Sequence, residues 1–538
     1  MNPSSTNENR CDVAVIGAGP QGLMYSTWLK KNAPHLRVVI LERQPNPGHK
    51  IGESTLSGFC KSLRSVGIPH RAMQRMFFPK NGLGFFFGTG YKGELVDTDE
   101  YIIEAFDETF QVERRALEHL IEANTERFGV DIVRGANVDI NASSFGKNGN
   151  VLRYVKDGES HVLHARLVAD ASGPACLLGR HFGVYVPGGL GFQASSVWAY
   201  YKNIPLLEEY PGWKKHALHS RDQYTQHVYF REGWMWYIPI WSWQHVSDET
   251  LHAMAARLLQ DPDASLDDLT PGAPPPKHEQ IVSIGFVVRN DRDPSMDKGP
   301  AAVFEHYARE VPLTAKILEQ GELISGHYPG HNPYMVRRNF HHHTTQAAGD
   351  GWLLLGDASF FVDPLASPGL TGGAAASYQA HRYTLKALAK NDVSRESLSG
   401  YDEFCKVLQP AIEREIQNIY LSFNHPGALD IVLRLQEIDA RRHFGDYAEN
   451  DYDIEDTNIW GILDPTYQKM QISAWNIMRD AERRVAEKVP YEQQNHTHYE
   501  GMVRDLEPLL REYVTEYIDL TPYAVNNPGD TPDAHTSP

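Results

Sequence analysis

The feature that most constrains this chain is a glycine-rich turn between a predicted strand and a predicted helix. Residues 17–22 read Gly-Ala-Gly-Pro-Gln-Gly and match the GxGxxG fingerprint. They follow the apolar run 13–16, which predicts a buried parallel strand, and precede apolar residues with helical spacing. A second apolar run, 38–41, ends beside Glu42. Together these elements predict a strand-helix-strand unit that binds a dinucleotide.

Each glycine of this turn has its own role in the predicted site. Gly17 allows the tight turn, Gly19 lets the backbone approach a pyrophosphate, and Gly22 lets the helix pack closely on the strand. The helix N-terminus then faces the phosphates, and Glu42 accepts hydrogen bonds from a ribose. The alternative interpretation is a glycine turn without a ligand, because an isolated GxGxxG is a weak signal.

Composition limits the class of protein. The chain has 538 residues, more than one ordinary domain, so it can enclose a cofactor. Its formal net charge of -18 makes it a poor binder of nucleic acid or anionic membrane, because phosphates repel it. No apolar run approaches the roughly 20 residues that span a bilayer, and the polar N-terminus lacks the pattern of a signal peptide. We therefore expect a cytoplasmic protein that binds neither nucleic acid nor membrane.

The cysteines carry no sign of a metal centre. There are four, without a CxxC pair, so neither a zinc site nor a disulfide framework is predicted. We expect them to be reduced thiols, as is usual in the cytosol. They are Cys11, Cys60, Cys176 and Cys405.

Later segments separate FAD from NAD, which the GxGxxG fingerprint does not. Residues 352–358 form a predicted strand that ends in Gly-Asp-Ala, which resembles the second FAD signature of flavin monooxygenases, where the aspartate (here Asp357) contacts the ribityl chain. Asp-Ala-Ser-Gly at residues 170–173 fits the same class. The other predicted cofactor-binding residues are Arg43, Glu53, Ser54 and Arg114. We therefore predict an α/β fold with a Rossmann-like FAD-binding domain of the p-hydroxybenzoate-hydroxylase-like flavin monooxygenase type, a mixed substrate-side sheet and a helical C-terminal region.

Four regions follow from the distribution of apolar residues and prolines. Residues 1–10 are predicted to be a disordered leader, and residues 11–400 an FAD-binding domain with an interleaved substrate-binding part. Residues 401–520 are predicted to be helical, and residues 521–538, rich in proline, a loose tail. Residues 261–280 are acidic and then proline-rich, which is typical of an inserted surface loop.

A tryptophan motif in the middle of the chain resembles a motif of a known enzyme family. Residues 234–239 read Trp-Met-Trp-Tyr-Ile-Pro and match WxWxIP, which distinguishes flavin-dependent halogenases from related hydroxylases. Alternation along a strand places Trp234 and Trp236 on one face, as in any amphipathic strand. In the family that this chain resembles, the tryptophans keep substrate away from the flavin. The resemblance assigns this partition to Trp234, Trp236, Ile238 and Pro239.

Two further segments carry the resemblance. Lys80 lies among phenylalanines and glycines, as does the essential lysine of the family, and burial there would depress its pKa. The alternative is an ordinary solvated lysine. Residues 363–370, Asp-Pro-Leu-Ala-Ser-Pro-Gly-Leu, resemble the family's segment that lies against the flavin and helps to bind halide through backbone amides. The resemblance implies a catalytic role for Lys80 and Ser367, flavin contact by Pro364 and Gly369, and a halide site at Pro368, Gly369 and Leu370.

The activity that the resemblance implies is FADH2-dependent halogenation. A separate reductase supplies reduced FAD, oxygen and chloride or bromide are converted to hypohalous acid, and the acid passes through a tunnel to Lys80. The lysine ammonium polarises the acid, or its amine forms a haloamine, and the sequence leaves both open. A small aromatic substrate, free or carrier-bound, then receives the halogen. The chain has no second NAD(P)H fingerprint, which suits a partner reductase, and its oligomeric state is open, a homodimer included.

Two departures from the family bear on the substrate. Tryptophan halogenases carry a glutamate where this chain has Ala366, so we expect a ring already activated by a hydroxyl, as in the phenol-halogenating and polyketide-halogenating branch. The insertion at 261–280 is expected to reshape the substrate entrance. Two other functions compete with halogenation. A single-component aromatic hydroxylase would consume NAD(P)H by itself, and a non-catalytic binding protein on the same fold would bind no FAD.

Overall fold

Two large sheets and a C-terminal group of helices make up the structure. The computed structural model describes residues 9–87, 99–207, 218–270, 274–293, 298–328, 331–445 and 458–517. Its strands are β1 Arg10–Ile16, β2 Val38–Glu42, β3 Phe78–Phe87, β4 Asp99–Gln111, β5 Asp131–Arg134, β6 Asn137–Ser144, β7 Asn150–Lys156, β8 Glu159–Asp170, β9 Tyr185–Pro187, β10 Ala194–Lys202, β11 Tyr224–Phe230, β12 Gly233–Ser242, β13 Glu279–Arg289, β14 Glu322–Leu323, β15 Met335–Arg337, β16 His342–Thr344, β17 Ala348–Gly349 and β18 Trp352–Leu354.

The longest helices follow the last strand in the chain. The helices are α1 Pro20–Asn32, α2 Ser57–Ser65, α3 His70–Met76, α4 Arg114–Arg127, α5 Leu177–His181, α6 Asp248–Gln260, α7 Pro300–Glu310, α8 Pro312–Leu318, α9 Pro368–Ala389, α10 Ser399–Ser422, α11 Pro426–Asp439, α12 Pro465–Ala486 and α13 Glu500–Tyr517. A π-helical turn, Ala440–Gly445, continues α11. No helix in the described ranges is long and apolar enough to cross a bilayer.

The first sheet carries the glycine turn. Its strands pair in the order β17-β18-β8-β1-β2-β5, and the pairs within β18-β8-β1-β2-β5 are parallel. The run Val13–Ile16 of β1 is at most 4% exposed, as the continuous apolar sequence predicts for a parallel strand covered on both faces. The expected Rossmann-like FAD-binding fold is therefore confirmed.

The second sheet lies on the substrate side and is mostly antiparallel. Its order is β14-β10-β13-β12-β11-β3-β4, and only the pair β3–β11 on this path is parallel. Side chains of β12 alternate between two cores. Trp234 and Trp236 face the large core shared with the FAD-binding part, whereas Met235 faces a smaller core beneath α7 and α8. The sheet thus forms the wall between the two parts.

Arg10, the last residue of the predicted leader, pairs with His164 in the first sheet. The first eight residues of that leader and the predicted tail lie outside the described part of the chain. The first residues of the 261–280 insertion lie against α3, where Arg75 donates to the carbonyls of Pro262 and Ala264. They are not among the residues that line the chamber around Lys80 described below.

Candidate active site

The glycine turn has the shape that a bound pyrophosphate requires. A Cβ on Gly17 would lie 2.5 Å from the Ala171 carbonyl oxygen, and one on Gly22 would lie 2.3 Å from the Gly17 carbonyl oxygen. A Cβ on Gly19 would meet no heavy atom within 4 Å. The turn is therefore tight at its ends and open at Gly19, where the uncapped N-terminus of α1 begins.

Gln21 joins three of the predicted cofactor segments. Its amide donates to the Leu370 carbonyl at 3.1 Å, and its Cγ lies 2.7 Å from where a Cβ on Gly356 would stand. Gly356 has a φ of +54° and begins the turn that carries Asp357. The glycine turn, the Gly-Asp-Ala segment and the predicted halide segment thus lie together.

Glu42, Arg43 and Arg114 are three further predicted cofactor-binding residues. The Glu42 carboxylate ends β2 and accepts from the Ala18 amide at 2.7 Å, and its neighbour Arg43 is exposed. Arg114 donates to the Ile51 carbonyl at 2.9 Å, and its Nε is buried without a hydrogen-bond partner among the described residues. A buried guanidinium nitrogen without a hydrogen-bond partner can donate to an anionic group of a dinucleotide. These residues therefore fit FAD.

Glu53 points toward the substrate-side sheet. Its side chain is 2% exposed and accepts a hydrogen bond of 2.6 Å from the Tyr200 hydroxyl on β10. Burial raises the pKa of this carboxyl to about 7. The predicted flavin-contacting residue is thus a buried acid that changes protonation near neutral pH.

Lys80 is buried, unlike an ordinary lysine. It is 1% exposed on β3, and burial lowers the pKa of its amine to about 7. Its Nζ donates to Ser54 Oγ at 2.8 Å and to the Thr55 carbonyl at 2.6 Å. Ser54 Oγ also contacts Ser367 Oγ at 2.7 Å and Thr225 Oγ1 at 2.6 Å. The structure brings together Lys80, Ser54 and Ser367, which lie far apart in the sequence.

Lys80 lines a chamber of about 710 Å³, open solvent at its mouth included. Most of the lining is apolar, and part of it comes from the C-terminal helices. The apolar lining residues are Leu56, Leu83, Ile103, Ala105, Ala366, Pro368, Ile416, Ala440 and Trp460. Trp460 has a φ of +55°, which is strained for a non-glycine residue. A mostly apolar chamber with one buried amine suits an aromatic ligand.

The tryptophan motif lies on β12, in the wall between the sheets. Trp234 and Trp236 are 2% and 4% exposed, and their ring centroids lie 5.9 Å apart. Ile238 and Pro239 continue the same strand and are buried. Gly285, opposite Trp236 on β13, leaves room for its ring, since a Cβ there would lie 2.1 Å from Trp236 Cζ2.

Asp363 connects the tryptophan wall to the predicted halide segment. Its carboxylate accepts from the Tyr420 hydroxyl at 3.0 Å and from the Leu365 amide at 2.9 Å, and it lies 2.9 Å from His341 Nε2. The Tyr420 hydroxyl in turn accepts from Trp234 Nε1 at 2.9 Å. Sequence reasoning gave Asp363 no role beyond its motif, although its position before Pro364 marked the segment.

The predicted halide segment is a strained turn followed by a helix. Ala366 and Ser367 both have positive φ, at 60° and 64°, and Ser367 precedes α9 without a side-chain cap. The predicted halide site includes Pro368 with Gly369 and Leu370. Proline has no N–H group, so Pro368 can position the turn but cannot donate a hydrogen bond to a halide. The candidate donors are therefore the amides of Gly369 and Leu370, beside the partly buried Pro364.

Two buried carboxyl groups in the chamber were missed by sequence reasoning. Glu415 on α10 and Asp439 at the end of α11 line the chamber with Lys80 and are 8% and 2% exposed. Burial, with the neighbouring Asp439, raises the pKa of Glu415 well above its usual range. The available signal was periodicity, because Glu415 falls on the apolar face of α10 between Ile412 and Ile416.

Comparison with known proteins gives one domain family and several halogenases. Residues 10–223 match the FAD binding domain family. The chain is 28% identical over 513 residues to the flavin-dependent halogenase malA of Malbranchea aurantiaca, covering 87% of this chain and 74% of that protein. It is 22% identical over 449 residues to the tetracycline 7-halogenase of Kitasatospora aureofaciens, covering 79% of this chain and 72% of that enzyme.

Solved structures share the fold. The halogenase PltM superposes with a TM-score of 0.74 at 17% identity and covers 95% of this chain and 97% of its own. The flavin-dependent brominase Bmp2 superposes with a TM-score of 0.62 at 19% identity, covering 89% of this chain and 100% of its own.

Proposed function

We propose that this chain is a flavin-dependent halogenase and that it halogenates an electron-rich phenolic ring held beside Lys80. It is accordingly an FAD-dependent enzyme that uses a halide. The observation that carries the proposal is the buried Lys80 amine, 1% exposed, in the wall of a mostly apolar chamber. When bound, FAD supplies the oxidising power that converts chloride or bromide to hypohalous acid with oxygen.

Lys80 is proposed to hold and polarise hypohalous acid. Two of its hydrogens are directed at Ser54 and the Thr55 carbonyl, and an ammonium keeps a third for the acid's oxygen. Ser367 supports this group through Ser54, since the three side chains are joined by hydrogen bonds of 2.8 and 2.7 Å. We favour the ammonium over a haloamine because the Thr55 carbonyl is an acceptor that a charged donor satisfies well.

The tryptophan wall and the halide segment are proposed to separate two chemical steps. Trp234 is hydrogen-bonded through Tyr420 to Asp363, and in this proposal its ring would keep the substrate away from the flavin. The amides of Gly369 and Leu370 at the start of α9 would hold halide on the flavin side, as an uncapped helix N-terminus does for anions. Substrate and flavin therefore do not meet, and the halogen reaches the ring by way of Lys80.

The chamber favours a phenol over an indole. At position 366 the chamber has an alanine methyl group and no carboxylate, so this position supplies no charged group that would activate a less reactive ring position. The carboxyl pair Glu415 and Asp439 lines the same chamber and can accept a proton from a hydroxylated ring. The halogenases of the comparison include one named for tetracycline, a fused phenolic compound, which supports the same substrate class. Reduced FAD is proposed to come from a separate reductase.

The test is a product assay with a reductase, chloride or bromide, and phenolic, indolic and pyrrolic rings. We expect halogenated phenol from the wild type, and normal flavin reoxidation without product from Lys80→Ala. Lys61→Ala is the matched control, because Lys61 is also buried but does not line the chamber. Hydroxylated product, NAD(P)H consumption without a reductase, or near-normal halogenated product in Lys80→Ala would contradict the proposal.

A further inference from the structure

Behind the chamber, three titratable side chains form a continuous row. His443 Nδ1 lies 2.6 Å from Asp439 Oδ1, and His443 Nε2 lies 3.3 Å from Asp464 Oδ2. The histidine side chain is 1% exposed. A row of this kind can pass a proton from one end to the other, because a neutral imidazole accepts at one nitrogen and donates at the other.

The two ends of the row open into different spaces. Asp439 lines the chamber that holds Lys80. Asp464 and His443 line a second cavity, whose rim includes Leu463, 63% exposed, and Arg442, 48% exposed. The row therefore runs from the substrate chamber to a cavity at the surface.

The backbone around His443 is arranged to hold it in this row. The residue lies in the π-helical turn Ala440–Gly445, a conformation that is rare and frequent at functional sites. Gly461, with a φ of +55°, permits close approach, since a Cβ there would lie 2.8 Å from His443 Cε1. Asp464 is also the N-cap of α12, where its other oxygen accepts from the amides of Thr466 and Tyr467 at 3.0 Å.

We propose that Asp439, His443 and Asp464 carry the proton released by the halogenated ring out of the chamber to solvent. This inference rests on the proposed function. The ring carbon bonds to the halogen of hypohalous acid as the oxygen–halogen bond breaks, and the leaving hydroxide takes a proton from Lys80 to become water. The ring then loses its hydrogen as a proton to Asp439, and the electron pair of that C–H bond restores aromaticity.

The proton then moves along the row. His443 accepts it at Nδ1 and releases another from Nε2 to Asp464, which gives it to water in the surface cavity. Lys80 regains a proton from water, so that one hypohalous acid and one ring yield halogenated ring and water. His443 touches no substrate, and its role is to return Asp439 to the ionised form for the next turnover.

Charged groups from two helices surround His443. From α11 and its π-helical turn it faces Asp439 and lies beside Arg442, which contacts Asp464 at 3.2 Å. From α12 it faces Asp464 and the Tyr467 ring, whose hydroxyl donates to Glu415 at 3.0 Å. Burial raises the pKa of Asp439, whereas hydrogen bonds and the nearby cations lower the pKa of Asp464. A proton is therefore held at the buried end and released at the exposed end.

The test compares wild type, His443→Gln and Asp464→Asn over many turnovers with a flavin reductase, FAD, bromide and resorcinol. Asparagine keeps the α12 cap, so Asp464→Asn should fold even if His443→Gln does not. We expect flavin reoxidation at the wild-type rate, about a 100-fold slower release of brominated resorcinol from His443→Gln, and a larger solvent deuterium isotope effect on that step. Imidazole should restore part of the rate.

The matched control is His496→Gln, an exposed histidine that lies outside the row. Brominated product at the wild-type rate and with the wild-type isotope effect in His443→Gln and Asp464→Asn would overturn the relay alone. If the wild type gives no brominated resorcinol, the proposed function is overturned and the relay with it.

Discussion

Replacing Lys80 by methionine is expected to stabilise the fold while it abolishes halogenation. Burial lowers the pKa of this amine from 10.5 to about 7, which corresponds to about 5 kcal/mol of unfavourable free energy for the ammonium form in the folded chain. The two hydrogen bonds from Lys80 to Ser54 and Thr55 stabilise the folded wild type by about 1 kcal/mol each. Methionine cannot form them, so their loss offsets part of the stabilisation expected from the substitution. We therefore expect Lys80→Met to raise the free energy of unfolding by about 3 kcal/mol at pH 7.

The sign of the pH dependence is specific to Lys80. Between pH 7 and 10.5 the unfolded chain keeps the lysine proton and the folded chain has lost it, so the lysine destabilises the fold fully below pH 7 and progressively less up to pH 10.5. The advantage of Lys80→Met should accordingly shrink as the pH rises through this window. Urea denaturation of both proteins at pH 6.5, 8 and 9.5 measures it, with Lys390→Met, at an exposed position, as the control. A variant less stable than the wild type at every pH would refute the reasoning.

Three further perturbations probe the flavin opening, the wall and the lysine. Gly19→Val should abolish FAD retention, because its side chain would occupy the open volume at the turn; an undiminished FAD titration would contradict this. Gly285→Ala should lower the free energy of unfolding by about 1–3 kcal/mol, because its Cβ would lie 2.1 Å from the Trp236 ring, and wild-type stability would show that the ring moves freely. The fraction of hypohalous acid converted to product should fall as the pH rises through about 7, where Lys80 loses its proton; a rise would favour the haloamine.

Motifs that depend on local backbone geometry were predictable from the sequence. The GxGxxG turn needs glycines at positions where a Cβ would strike the backbone, and Gly17 and Gly22 stand at such positions. The tryptophan pair follows from strand alternation, and the structure places both rings on one face. Their roles in catalysis stay predictions, whereas the fold and the cofactor that these motifs indicated are confirmed.

The rest of the site depends on contacts between distant segments. Ser54 was assigned to the flavin from its place after Gly52 and Glu53, yet its hydroxyl is hydrogen-bonded to Lys80. Asp439 reaches the chamber only because α11 packs against the substrate-side sheet near β4. No local pattern reports such packing, and a single acid on an apolar helix face is a weak signal. The sequence therefore indicated the lysine but not the two buried acids, Glu415 and Asp439, that line the same chamber.

The wall that closes the chamber comes from the last helices of the chain. The lining around Lys80 is completed by Glu415, Ile416, Gln436, Asp439, Ala440 and Trp460, whereas the segments that fit FAD all precede α10. During synthesis on the ribosome, the flavin-binding strands therefore leave the exit tunnel before the residues that enclose the substrate. A nascent or proteolytically shortened protein that still carried the flavin would expose Lys80 to water. Hypohalous acid formed by such a fragment would then diffuse away as a general oxidant, and cellular proteins would become its targets.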